Sequence, residues 1–333
     1  MALRMMHSRI LVTRTLADEL FGELCNHFLV DDSQQRDGPH SQEELRRRLA
    51  DKDGVLLFAD RIDAATLDAA PRLKAVCNIT VGYNNVDVAA CTERGILVTN
   101  APGVLDDTTA DMTWALLLAA ARRIAESDRW LRAGNWQGMK FSDRFGRDVH
   151  HATLGILGMG RIGRAVARRA AGFDMRVIYH NRSRLDPDLE RAANARYVSM
   201  QELLAESDFL SLHLPYTDAN HHVIGAAQLA AMKHTAILVN ASRGGLIDED
   251  ALAEALREDR IAGAGLDVFE GEPRVNAALL ALDNVVLAPH MGSATRATRL
   301  AMARLGIENL KQALAGGVPP CLVNPEVLAR RRR

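Results

Sequence analysis

The chain has 333 residues, 48% of them hydrophobic and 25% charged, with a formal net charge of −1. That length suits one large domain or two of ordinary size, and the near-neutral charge gives no global attraction to nucleic acid or to an anionic membrane. Four scattered cysteines with no Cys-x-x-Cys pair argue against a disulfide framework or a cysteine-built zinc site, and they fit a reducing cytosol.

The N-terminal "MALRMMHSRILV" has no apolar stretch long enough for a signal peptide, so a cytoplasmic protein is expected. Short apolar runs then alternate with amphipathic helical patterns. "RILVT" reads as a strand, "LADELFGEL" as a helix, "GVLLFA" as a strand, "ATLDAAPRL" as a helix and "LKAVCN" as a strand, with "DDSQQRDGPHSQEE" a polar surface loop. A long helix is expected from Thr108 to Ala125. It contains "WALLLAAA", an apolar run too short to span a bilayer, and a less regular stretch follows it. A second alternation begins at "ATLGILG" and continues through "MRVIYH", "FLSLHLP", "AILVNA", a helix capped by Asp248, "AGLDVF" and "VVLAPH". The rhythm predicts two doubly wound parallel-sheet α/β (Rossmann-like) domains, with a ligand crevice between them. The boundaries expected are 105–295 for a dinucleotide-binding domain and 1–104 plus 296–333 for a discontinuous substrate-binding domain. The basic run Arg330 to Arg333 reads as a solvated tail.

"LGILGMGRIGRAVARRA" places Gly158, Gly160 and Gly163 between an apolar strand and an alanine-rich helix, the context a dinucleotide fingerprint requires. Gly158 would make the tight turn, Gly160 would let the backbone approach a pyrophosphate, and Gly163 would let helix and strand pack closely. The helix N-terminus, with Arg161 and Ile162, would supply N–H groups and positive dipole. The next strand ends in His180, Asn181, Arg182, Ser183 and Arg184 rather than in an acid. An acid there suits the free ribose hydroxyl of NAD, whereas arginines suit the extra phosphate of NADP. NADPH is therefore the preferred cofactor, with NADH possible.

Three further pieces each lie just past a predicted strand. Arg243 stands in "LVNASRGGLIDEDAL", Asp267, Glu270 and Glu272 in "GLDVFEGEP", and His290 in "VVLAPHMGSAT". Strand carboxyl ends converge on the cofactor crevice of a doubly wound sheet. Reduction of a carbonyl needs a proton donor, which histidine supplies near neutral pH. A neighbouring carboxylate favours the charged imidazole, and an arginine can bind a substrate carboxylate. Spacing alone leaves ordinary surface residues as an equal reading of this trio.

Together "GILGMGRIG", "LVNASRGGLID", "AGLDVFEGEP" and "APHMGSAT" resemble the D-isomer-specific 2-hydroxyacid dehydrogenases, and the resemblance runs from "VCNITVGYNNVD" to "LVNP". "VLDDTTADMTWALLLAAARR", "DVHHATLGILGMGRIG" and "PHMGSATRATR" are similar to its glyoxylate/hydroxypyruvate reductase and 2-ketogluconate reductase branch. The resemblance implies Arg243 as substrate-binding arginine, Glu272 as relay carboxylate and His290 as acid/base. It implies that the N–H groups of Val81 and Gly82 hold the substrate carboxylate and that Asp267 faces the nicotinamide amide. Thr108, Pro215, Asn240 and Ala241 would line the cofactor, along with Asn181, Arg182, Ser183 and Arg184 past the second strand. The reaction implied is NADPH-dependent reduction of a 2-keto acid. Alternatives are an NAD-dependent D-2-hydroxyacid, phosphite or formate dehydrogenase, or a non-catalytic nucleotide-sensing corepressor.

No metal is expected. His150–His151 and His221–His222 are adjacent pairs, and neighbours on a strand point to opposite faces. His213 reads as structural. By the same resemblance the stretch before the glycine loop is a dimerisation arm, so a homodimer is expected. Trp136 is the candidate to reach the partner's active site, with local packing an equal alternative.

Overall fold

The computed structural model describes residues 8–32, 38–141 and 145–332. Residues 33–37 of the expected polar loop and Arg333 of the basic run lie outside them. The chain divides into two compact units, Met1–Leu105 with Thr295–Arg333, and Asp106–Ala294.

The first unit holds five strands: β1 (Arg9–Val12), β2 (Leu29–Asp31), β3 (Gly54–Leu57), β4 (Ala75–Asn78) and β5 (Leu97–Thr99). All pairings are parallel, in the order β2-β1-β3-β4-β5. Every residue of β3 and β4 is buried, as expected of parallel strands covered on both faces. Successive residues serve opposite cores: Leu56 packs with Ile307 and Leu310 of the C-terminal helix Arg296–Leu314, while Val55 and Leu57 pack with Leu45, Leu49 and Leu67. The C-terminal helix therefore supplies one face of a sheet begun almost 300 residues earlier. Gly306 lets it approach, since a Cβ there would lie 2.5 Å from Cγ2 of Ile79.

The basic end is not the solvated tail expected. Arg331 Nη1 donates to the carbonyls of Gly316 and Gly317, at 2.8 and 2.7 Å. Arg332 Nη1 donates to those of Pro71 and Leu73, and its backbone N–H to Gly95. Carbonyls exposed at the end of a long helix need donors, and the forked guanidinium supplies several at once.

The second unit holds seven strands: β6 (Thr153–Leu157), β7 (Arg176–His180), β8 (Ala195–Tyr197), β9 (Phe209–Leu212), β10 (Ile237–Asn240), β11 (Gly263–Leu266) and β12 (Val285–Leu287). They form one parallel sheet in the order β12-β11-β10-β9-β6-β7-β8. Strand order reverses between β6 and β9, and at that switch point a doubly wound sheet opens a ligand crevice past its strand ends. One face is covered by the helix Asp106–Ala121, whose Trp114, Leu116, Leu117 and Ala121 are buried. Trp114 donates its indole N–H to Val166 and stacks on Phe173. The helix stops before Ala125. Arg123 takes a left-handed conformation (φ 52°), and a second helix, Ile124–Arg132, occupies the start of the stretch expected to be irregular. Among the described residues no helix is long and apolar enough to cross a membrane.

Candidate active site

The glycine loop leaves β6 at Leu157. Gly158 has φ 103°, and a Cβ there would lie 2.7 Å from the His213 backbone, which leaves β9 alongside. A Cβ on Gly163 would lie 2.4 Å from the Gly158 carbonyl, so only glycine lets the helix Arg161–Ala170 close on the loop. Gly160 is that helix's N-cap and offers no side chain to the first-turn N–H groups, and nothing lies within 4 Å of its would-be Cβ. Arg161 is exposed and Ile162 half-buried beside it. An uncapped helix N-terminus at the switch point fits a dinucleotide's phosphates.

At the end of β7 the five expected residues separate by what they touch. His180 hydrogen-bonds the Val198 carbonyl through Nδ1 (2.8 Å) and stacks on Tyr197. Asn181 Oδ1 accepts the Met159 N–H at 2.7 Å, so its side chain shapes the glycine loop, a part the sequence reading did not give it. Arg184 makes a two-pronged pair with Glu190, both contacts at 2.7 Å. That guanidinium, aided by the Tyr179 hydroxyl at 3.0 Å, holds the Glu190 carboxyl down at about 2. Arg184 already has its anion. Arg182 and Ser183 are exposed and have no side-chain partner among the described residues.

Arg243, Asp267 and His290 follow the carboxyl ends of β10, β11 and β12. The Asn240 amide folds the first of these turns, with Nδ2 donating to the Arg243 carbonyl and Oδ1 accepting the Ser242 N–H. Burial pulls the Arg243 guanidinium below its ordinary value, against the charge of Glu272. Gly244 was assigned no role from sequence, yet a Cβ there would lie 1.9 Å from the carbonyl carbon of Phe269. The Arg243 turn thus rests directly on the segment that carries Glu272. The adjacent glycines of "SRGG" were the available signal.

Glu272 Oε2 and His290 Nδ1 are 2.8 Å apart, and Glu272 Oε1 accepts the Phe269 N–H at 2.9 Å. Burial works against the Glu272 charge. The hydrogen bonds from His290 and Phe269 and the charges of His290 and Arg243 overcome it, leaving the carboxyl below its ordinary value. His290 sits in the left-handed region (φ 53°), and its N–H donates to the Asp267 carbonyl. Burial raises the Asp267 carboxyl even though the N–H groups of Met291 (2.6 Å) and Gly292 (2.7 Å) donate to it. Asp267 therefore braces the turn that carries His290. With Nδ1 given to Glu272, His290 keeps Nε2 available for another partner.

The remaining positions are less concentrated. Thr108 lies in the first turn of the helix Asp106–Ala121, Ala241 is buried after β10, and the Pro215 carbonyl accepts from Asn220. Val81 and Gly82 belong to the other unit. Their carbonyls accept from Asn100, and from Asn78 and Thr80, while among the described residues neither N–H has a partner. His213 bonds Ser211 through Nε2 (2.8 Å), and burial pushes it down to about 4. The argument that His221 and His222 face opposite ways does not hold. They follow a turn rather than a strand, His222 has φ 52°, and their rings stack with centroids 3.7 Å apart.

Comparison with known proteins accords with this geometry. Residues 114–292 match the family model described as D-isomer specific 2-hydroxyacid dehydrogenase, NAD binding domain. The chain is 49% identical to a glyoxylate reductase of Korarchaeum cryptofilum, over 98% of each chain. It is 47% identical to glyoxylate/hydroxypyruvate reductase B of Pectobacterium carotovorum, over 97% of this chain and 100% of that one. Among solved structures it is similar to the NADPH-dependent glyoxylate/hydroxypyruvate reductase of Sinorhizobium meliloti in complex with NADP and malonate. That match has a TM-score of 0.86 and 34% identity, over 98% of this chain and 99% of that one.

Proposed function

Because the chain belongs to the D-isomer-specific 2-hydroxyacid dehydrogenases and is an NAD(P)-dependent oxidoreductase, we propose that it reduces glyoxylate and hydroxypyruvate with NADPH. The observation that carries the reading is the 2.8 Å pair of Glu272 and His290, built with Arg243 on neighbouring strand ends. Two curated relatives with glyoxylate or hydroxypyruvate reductase names over nearly the whole chain support the substrate class. A relative solved with NADP, and Arg182 without an anion of its own, support the cofactor.

The phosphates belong at Gly158, Gly160, Gly163 and the first turn of the helix after them, with Arg161 and Ile162. The 2′-phosphate belongs to Asn181, Arg182 and Ser183, with Arg184 drawn toward Glu190. Thr108, Pro215 and Ala241 complete the cofactor's lining, while the fully buried Asn240 and Asp267 hold the turns behind it. A bound reduced nicotinamide supplies one hydride to the carbonyl carbon. Arg243 binds the substrate carboxylate and polarises the carbonyl. His290 gives the proton on Nε2 to the forming alkoxide. Glu272 holds the ring by Nδ1–H and balances its charge before transfer. The product is glycolate from glyoxylate and the D-2-hydroxy acid from hydroxypyruvate, and the proton returns to His290 from water.

The same chemistry extends to 2-ketogluconate, whose 2-keto carboxylate offers Arg243 the same handle. The chain is further proposed to act as a homodimer. Trp136, Met139, Phe141 and Phe145 stand 61–98% exposed before the glycine loop, an apolar surface that a second copy would cover.

The test is initial-rate oxidation of NADPH and of NADH with glyoxylate, hydroxypyruvate and 2-ketogluconate. Turnover at least tenfold better with NADPH is expected for the first two. Turnover with NADH alone would remove the role given to Arg182, and no turnover with any pair would remove the reductase reading.

A further inference from the structure

His221, His222 and Glu270 bring three ligand atoms to one place, all within 4.8 Å of one another. His222 Nε2 is 2.8 Å from one Glu270 oxygen and His221 Nε2 is 3.9 Å from the other. The two rings are stacked at 3.7 Å, so both Nε2 atoms are presented to the same carboxylate. On the far side of His221, Nδ1 is 3.2 Å from the Tyr216 hydroxyl. When Nδ1 carries the ring proton and donates to that hydroxyl, Nε2 keeps its lone pair, the arrangement that orients metal-binding histidines.

The cluster stands on anchored backbone. The His222 N–H donates to Gly245 at 2.9 Å and the Glu270 N–H to Glu249 at 2.7 Å. A Cβ on Gly245 would lie 2.7 Å from the Tyr216 ring, so that ring is seated on the chain just past Arg243. The depression beside His222 and Glu270 is also lined by Asp248, Glu249, Asp250 and Arg274, so its charged lining is acidic on balance, which favours a cation.

We propose that His221, His222 and Glu270 form a surface site for a divalent transition metal of the zinc class. Two imidazoles and one carboxylate suit zinc or its borderline neighbours and are poor for magnesium or calcium, which take oxygen ligands. Tetrahedral bonds of about 2.0–2.1 Å place ligand atoms roughly 3.3 Å apart. The ligand atoms lie within 4.8 Å of one another, so the half-exposed side chains close toward that spacing on binding. Three protein ligands leave the fourth position to water. Bound there, the metal would tie the 216–222 segment to the loop between Asp267 and Glu272. The site is separate from the proton-transferring pair and does not depend on the reaction assigned to it.

The test uses the untagged full-length chain, stripped with a chelator and titrated with Co²⁺ while its visible absorption is followed. Zn²⁺ competition is then run on the same sample. One Co²⁺ per chain, displaced by Zn²⁺, is expected. His222→Ala and Glu270→Gln should each weaken binding tenfold or more, while His150→Ala/His151→Ala leaves it unchanged. Metal-free thermal unfolding checks that each variant is folded, and either of the two site variants alone is decisive. Absence of saturable Co²⁺ binding would overturn the proposal, as would unchanged affinity in a folded His222→Ala or Glu270→Gln chain.

Discussion

His290 and Gly244 show how a single residue sets the geometry of the site. His290 adopts a left-handed backbone, a conformation that is uncommon outside glycine although histidine is among the residues enriched in it. The cost is met by its N–H bond to Asp267 and by the brace from the Asp267 carboxylate to the next two residues. Gly244→Ala would drive a methyl into the Phe269 carbonyl, 1.9 Å away, and neither backbone can yield cheaply. Displacing Arg243 and Glu272 by about 1 Å should lower kcat/KM by roughly 10²-fold, while circular dichroism stays native. Arg182→Ala should lower kcat/KM for NADPH by about tenfold or more, the scale of one charge-assisted contact, and leave NADH turnover alone. An equal loss with both cofactors would contradict the phosphate role. The positions of Arg243, Glu272 and His290 past strand ends were legible, but only the family resemblance set them apart from ordinary surface residues. Gly244 and the Asn181 brace were not, because their meaning is a close approach between segments distant in sequence. His221 and His222 were misread because a left-handed turn does not alternate as a strand does.

Strands and helices divide by burial and by length in how plainly the sequence declares them. β3, β4, β6, β9 and β10 are wholly buried, and they appear as short, mainly apolar runs. The three strands that pattern did not mark, β2, β5 and β8, have three residues each and lie at sheet edges. β2 and β8 contain no buried residue, so burial imposes little on their composition, while β5 is buried but too short to stand out. The break at Arg123 was hidden for a related reason, since a left-handed residue interrupts a helix without any glycine or proline to mark it. His213, just past β9, gives the element scale its pH prediction. Its folded value of about 4 lies below the ordinary 6.5, so its neutral form stabilises the fold fully above about pH 6.5. That contribution is lost as pH falls toward 4, because the unfolded chain takes up the proton first. The loss is on the order of 3 kcal/mol at most. Urea midpoints measured between pH 7 and 4 should fall more steeply for the wild type than for His213→Asn. Parallel curves would contradict it.

Across the whole molecule, the first unit is begun by the N-terminal strands and completed by the last helix. Alternating strands and helices made both sheets and their parallel pairing readable. The anchoring of the C-terminal arginines was not readable, because a basic run looks the same whether it is solvated or bonded to carbonyls. Arg331→Ala/Arg332→Ala should destabilise the first unit by roughly 1–3 kcal/mol, the range for hydrogen bonds to charged groups. A lowered melting temperature checks this, and an unchanged one would mean that these bonds add nothing. Trp136→Asp should shift a dimer toward monomer in sedimentation if the exposed apolar arm is covered by a second copy.

The account rests on His290 as proton donor, so the most direct measurement compares wild type and His290→Asn in glyoxylate reduction, with NADPH binding followed separately by fluorescence. The variant should lose roughly 10²–10⁴-fold in kcat and bind NADPH as the wild type does. Undiminished turnover in a folded His290→Asn enzyme would contradict the assignment of the proton to this residue.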